Sequence, residues 1–151
     1  MKITGKKSLS SLIEICLKII MIIGIIIVLG LPFFLQKYAE WMHPQIEYYP
    51  SLAILYASGI PALIIVYRFI KIFHTLKEDN PFNMENVKNL KVISNCSLLI
   101  MLEYMVGIFF ITSVFAIVII GVFAVVWLGC YILAELLKKA IDYKEENELT
   151  I

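Results

Sequence analysis

Charge is scarce in this 151-residue sequence: 17% of the residues are Asp, Glu, Lys or Arg, against 61% hydrophobic. A soluble domain carries about 25% charged residues, so this chain cannot cover itself with an ordinary water-facing surface. Histidine is scarcer still, with only His43 and His74. They do not form an HExxH zinc motif, and the chain has no glycine-rich phosphate loop, no GxSxG elbow and no serine-histidine-acid set. Enzyme chemistry is therefore not expected, and no cofactor or catalytic residue is assigned. The three cysteines, Cys16, Cys96 and Cys130, lie in or beside apolar segments at no metal-ligand spacing. They read as small packing hydrophobes, without a disulfide framework. A net charge of +1 offers no concentrated basic face for a phosphate backbone, so nucleic acid is not an expected direct partner.

What the chain has is long apolar runs. A helix needs about 20 apolar residues to cross about 30 Å of hydrocarbon, and uncharged stretches of that order occupy 19–36, 48–67 and 104–134. The last is too long for one crossing and divides near Thr112 and Ser113. The preceding residues 92–102, interrupted by Glu103, complete another span. The expectation is an all-α, integral membrane four-helix bundle: a single domain over 1–151 made of two transmembrane hairpins. Its spans lie at about 12–35, 50–69, 91–111 and 114–137, with a loop at 70–90 and a tail at 138–151. Of the 13 Lys and Arg residues, all but Lys37 fall on one side of this layout. By the positive-inside rule both termini and the 70–90 loop are cytoplasmic, and a cell membrane is the expected location. Lys2, Lys6 and Lys7 ahead of an apolar run imitate a secretory signal, but no small-x-small cleavage site follows, so the first span is expected to be retained.

Individual residues refine this layout. Glu14 and Lys18 stand one helical turn apart in the favourable order and are expected to pair or to snorkel. A short outer connection over 36–49 holds Tyr38, Trp41, Tyr48 and Tyr49, as interfacial aromatic belts do, and His43 reads as an exposed loop residue. Pro61 inside the second span removes the donor for the Ala57 carbonyl, so a kink is expected there. Arg68, Lys71, His74 and Lys77 form a basic stripe suited to anionic headgroups or an acidic partner. Asn80 before Pro81, or Asn83 before Asn86, caps the next helix. Glu103, twelve residues beyond Lys91, is about 18 Å further along a helix and so near the bilayer centre. A central carboxyl calls for a partner, with Tyr56, Tyr104, Ser58 or a neighbouring subunit as candidates. Ser113, Ala116, Gly121, Ala124 and Ala134 share a broad arc of the fourth span that could allow close helix approach. In the tail, Glu145, Glu146 and Glu148 suit a fraying helix end, and Leu149, Thr150 and Ile151 favour extended structure.

Two short stretches carry a resemblance. Asp79, Asn80, Pro81, Phe82, Glu85, Asn86, Val87, Lys88 and Leu90 in the loop form the first, and Glu146, Asn147, Glu148, Leu149, Thr150 and Ile151 at the end form the second. Framed by four spans, they resemble the bacterial YoaS-like family of small membrane proteins, domain of unknown function 2975. The resemblance covers essentially the whole chain and implies a four-helix integral membrane protein. It also implies a small helix-turn-helix regulator of the Cro/repressor type encoded beside it, from which association with that regulator is inferred, and it carries over no catalytic residue or cofactor.

Two functions are therefore weighed. In the first, a membrane sensor or tether controls such a regulator, with Asp79, Asn80, Pro81, Phe82, Glu85, Asn86, Lys88, Glu146, Asn147, Leu149, Thr150 and Ile151 forming a docking surface. In the second, an immunity or transport-accessory protein works through Trp41, His43, Tyr48 and Glu103. The lipid bilayer is a partner in both, and assembly of several copies is compatible with either.

Overall fold

The computed structural model describes residues 3–41, 48–78, 80–108 and 114–149, with side chains from Leu9 onward. His43, Asp79, Thr112, Ser113, Thr150 and Ile151 therefore lie outside the described residues. Four α-helices make up the fold: α1 (Ile3–Trp41), α2 (Tyr48–Lys77), α3 (Met84–Gly107) and α4 (Val114–Leu149). Each is long and apolar enough to cross a membrane, and no strand occurs among the described residues.

Three of the helices overrun the spans that apolarity marks out. α1 continues through Tyr38 to Trp41, and α2 starts at Tyr48, so these aromatic residues sit on helix ends instead of a loop. α4 continues through the acidic tail to Leu149, where a fraying end and then extended structure were expected. α3 is the exception, stopping at Gly107 and not at 111. The Ile108 N–H closes the helix on the Tyr104 carbonyl at 3.0 Å. Both α1 and α2 are continuous through their prolines, Pro32 and Pro61. Beside Pro61, the Ser58 hydroxyl reaches back to the Ile54 and Leu55 carbonyls at 3.0 and 3.3 Å, a bond confined to its own helix.

The helices pack in sequence order, α1 on α2, α2 on α3 and α3 on α4, with no backbone approach between α1 and α4. The bundle is thus open, and among the described residues the backbones of the two hairpins approach each other along α2 and α3. Burial follows from this. α3, flanked on both sides, hides Ile93, Ser94, Ser97, Ile100 and Gly107, whereas Ile19, Ile22, Ile26 and Leu29 of α1 are exposed. The more polar helix is inside because lipid tails are as apolar as leucine and leave no gain in sheltering α1. Serine suits a helix interface in lipid: the Ser97 hydroxyl donates to the Ile93 carbonyl at 2.8 Å, and Ser94 donates across to the Trp127 carbonyl at 3.1 Å. α4 meets α3 through Ile119, Phe123, Val126 and Cys130, and through Ala134 and Ile141 nearer its end. Ala116 and Ala134 of the small-residue arc are buried, but a side chain at Gly121 would meet nothing within 4 Å. The packing stripe has a seven-residue repeat that passes Gly121 by.

Glycine does set the approach of α1 to α2. A Cβ at Gly59 would stand 3.2 Å from Val28 Cγ2, and one at Gly24 would stand 2.8 Å from Leu63 Cδ2. Val28 is β-branched and stiff, whereas the end of Leu63 can swing aside. Replacing Gly59 by leucine should therefore cost about 1–3 kcal/mol through overpacking, and Gly24→Ala should cost less. The thermal unfolding midpoint in mild detergent checks this, with Gly59→Leu expected to fall clearly below both Gly24→Ala and the parent.

Candidate functional site

The polar groups gather at one end of the helices, where α2 passes through the 78–83 connection into α3. Asn83 has extended backbone (φ −139°, ψ 155°) and caps α3, its Oδ1 accepting the Asn86 N–H at 2.7 Å. Of the two expected caps, this is the one formed. Asn83 Nδ2 donates to the Asn80 carbonyl at 2.8 Å, which fixes the turn before the helix. Asn86 then does the cross-linking. Its Nδ2 donates to Thr75 Oγ1 at 2.7 Å and to the Pro81 carbonyl at 2.9 Å, tying α3 to α2 and to the loop. Thr75 Oγ1 lies 2.8 Å from the Ile72 carbonyl, to which its single hydrogen can be donated.

This changes what the loop can offer a partner. Asn86 is 3% exposed, with its amide hydrogens already committed within the chain. It is withdrawn from the expected docking surface. Val87 is buried too, against Ala134 and Ile141 of α4. Asn80, Phe82, Glu85 and Lys88 are exposed, and Pro81 is partly so. Glu146, Asn147 and Leu149 are exposed on the end of α4.

The basic stripe finds partners inside the protein. At about 100° per residue, each three-residue step turns back by about 60°, so Arg68 and Lys77 point to opposite sides of α2. Arg68 Nη1 accordingly donates to Asn89 Oδ1 of α3 at 3.1 Å, and Lys71 lies 3.5 Å from Glu85 of α3. On the other side, His74 Nδ1 and Lys77 Nζ approach Glu14 of α1 at 3.8 and 3.9 Å. Glu14 is also bonded by Lys18 at 2.6 Å, as the spacing predicted. One carboxylate thus gathers three basic groups from two helices. On the far side of α3, Lys91 pairs with Glu135 of α4 at 3.0 Å. Headgroup contact remains open to the exposed parts of these side chains, but the stripe is first of all a set of ties from α2 to its two neighbours. Sequence reasoning missed Asn89 and Glu135. Asn89 shares a helix face with Asn86 three residues before it, and Glu135 ends an apolar run just as Lys91 begins one.

Glu103 stands apart from all of this. Glu103 is four residues, about 6 Å along the axis, before the Gly107 end of α3. Both carboxyl oxygens are buried and neither has a hydrogen-bonding partner, so the expected bonds to Tyr56, Tyr104 or Ser58 are not made. Among the described residues no three His, Cys, Asp or Glu side chains come together as a metal site.

The two covered carboxyl groups should respond oppositely to removal. Glu14→Ala removes one hydrogen bond from Lys18 and the nearby charge from His74 and Lys77, all of which stay partly exposed, and should destabilise by up to about 1 kcal/mol. Glu103→Leu removes an unpaired polar group and should raise stability by about 1 kcal/mol or more. Unfolding midpoints of the two variants in one detergent give the comparison.

Comparison with known proteins places this architecture. The family model described as protein of unknown function DUF2975 matches residues 34–151. The uncharacterized membrane protein YoaS of Bacillus subtilis (strain 168) is 31% identical over 160 residues, covering 91% of this chain and 96% of that protein. No solved structure matches. With four helices able to span a bilayer and a membrane protein as its relative, the chain is a multi-pass membrane protein. It belongs to the DUF2975 family.

Proposed function

We propose that this protein is a membrane-resident sensor or tether that controls a small cytoplasmic helix-turn-helix transcription regulator and has no enzymatic activity of its own. The charged end, with both termini and the 70–90 loop, faces the cytoplasm of a bacterial cell, in keeping with the side on which all basic residues but Lys37 fall. The observation that carries the reading is the course of α4. Paired with α3 through Lys91 and Glu135, it runs on in exposed helical form to Leu149. In that antiparallel register Asp142 is level with Met84, so 143–149 reach roughly 10 Å beyond the first residue of α3. This projection carries Glu145, Glu146 and Glu148 against the single Lys144, and it ends on an exposed leucine. A DNA-binding regulator carries a basic face for phosphates, and an acidic helix of this kind is complementary to it. Exposed Phe82 and Lys88 at the loop add an apolar and a charged contact beside its base. A membrane signal acts by shifting the availability of this surface.

A second reading, an immunity or transport-accessory protein, is favoured by one observation, the unpaired Glu103 carboxyl on the opposite half of the helices. In that case Trp41, His43, Tyr48 and Glu103 matter and the tail is dispensable.

Affinity purification of the full-length protein in mild detergent separates the two. The regulator should co-purify, should be lost when residues 145–151 are deleted, and should be weakened about tenfold or more by Glu145→Lys with Glu148→Lys. Retention after the deletion, together with loss of peptide resistance or transport on Glu103→Gln, would favour the second reading.

A further inference from the structure

Arg68 is the one basic residue of the stripe that bonds across a helix interface without an acidic partner. Its Nη1 donates to Asn89 Oδ1 at 3.1 Å, its Nε is buried with no acceptor, and no ion pair engages it among the described residues. Asn89 is in the same condition. It is 1% exposed, its Oδ1 is taken by Arg68, and its Nδ2 is buried without an acceptor. A guanidinium and a carboxamide are thus held together across the α2–α3 interface, each with an unused N–H and with one uncompensated positive charge between them. Leaving such donors unmet is costly, and more so where one carries charge. Water would accept from the donors, but it leaves the charge in place. An acceptor-only anion with two or more oxygens answers both needs.

The level of the pair in the membrane selects the anion. Arg68 closes the uncharged stretch of α2, and Lys18 closes that of α1. The Gly24–Leu63 and Gly59–Val28 approaches set α1 and α2 in an antiparallel register that brings Arg68 beside residue 19. On α3, Asn89 is two residues from Lys91, where the apolar stretch begins, and Lys91 is paired with Glu135 at the matching point of α4. All four helices change from apolar to charged at this height. Lys71, one turn beyond Arg68, holds its ammonium 5.6 Å from the centre of the Tyr67 ring, and Arg68 lies 6.0 Å from the same ring. An amphipathic ring and Lys71, whose charge is shared with Glu85 at 3.5 Å, therefore flank the pair where headgroup phosphates meet the hydrocarbon.

We infer that Arg68 and Asn89, with Lys71 beside them, form a binding site for the phosphate of an anionic phospholipid headgroup between α2 and α3. The lipid supplies the acceptor oxygens that this interface lacks and completes the contact on which the two hairpins depend. Guanidinium geometry favours paired N–H bonds to phosphate oxygens, and the carboxamide adds a further donor.

The test uses the full-length protein, delipidated in mild detergent and followed by its unfolding midpoint. Phosphatidylglycerol, phosphatidylcholine and sodium phosphate are titrated separately. Phosphatidylglycerol should raise the midpoint by about 5 °C or more at roughly a hundredfold excess over Kd, with phosphatidylcholine and sodium phosphate having far smaller effects. Arg68→Gln should weaken the apparent lipid affinity about tenfold or more, while Lys138→Gln, at an exposed lysine, retains the response. Asn89→Asp keeps the test sound if Arg68→Gln fails to fold. Its carboxylate becomes the missing counter-ion, so the lipid-free midpoint should rise and the phosphatidylglycerol response should disappear. The inference is overturned by an equal shift with phosphatidylcholine, or by a parental lipid response in Asn89→Asp. It is also overturned if sodium phosphate alone reproduces the shift and lipid adds nothing.

Discussion

The carboxamide of Asn86 holds this structure together. Through 2.7 and 2.9 Å bonds to Thr75 and the Pro81 carbonyl it fixes the end of α2, the intervening loop and the start of α3 in one arrangement. The open order of the helices makes that joint decisive. Among the described residues the α1 and α4 backbones do not approach, so the two hairpins are joined chiefly along the α2–α3 seam. In lipid, apolar contact between helices gains little over contact with acyl chains, so apolar packing alone leaves their relative position weakly determined. Polar bonds at the charged end fix it instead: Asn86 to Thr75, Asn89 to Arg68, and Lys71 near Glu85. Glu14 extends the same scheme to α1, and Glu135 extends it to α4.

This scheme accounts for the reversal of the usual relation between apolarity and burial. Ile93 and Ile100 are buried in α3, but so are Ser94, Ser97, Asn86 and Asn89, while the isoleucines of α1 lie exposed. A helix bearing amides and hydroxyls is more costly to leave in lipid than one made of isoleucine, so it takes the inner place. One polar group does not follow the rule. Glu103 is covered and unbonded near the far end of α3, which marks it as the site in the helices most open to a role beyond packing.

Much of the layout was legible in the sequence because it rests on length and charge alone. The apolar runs gave four helices, the Glu14–Lys18 spacing gave an ion pair that forms, and Asn83 with Asn86 three residues later gave the cap. The docking set was less legible. Polar letters in a loop look exposed, and nothing local to Asn86 announces that Thr75, eleven residues earlier, will bury it. The basic stripe misled in the same way, since its three-residue spacing suggests one face, yet the drift of about 60° per step carries it from α3 around to α1. Helix termination and cross-helix partners are long-range outcomes that periodicity does not encode.

The claim that the loop motif is a structural joint is tested most directly by a double-mutant cycle on Thr75→Val and Asn86→Leu, read as unfolding free energy in mild detergent. If the amide and hydroxyl hold α2 to α3, the singles are each destabilising and the pair is non-additive, with a coupling of about 1 kcal/mol or more. Additive effects within about 0.3 kcal/mol would mean that Asn86 contributes through its own helix alone, and the joint would not exist.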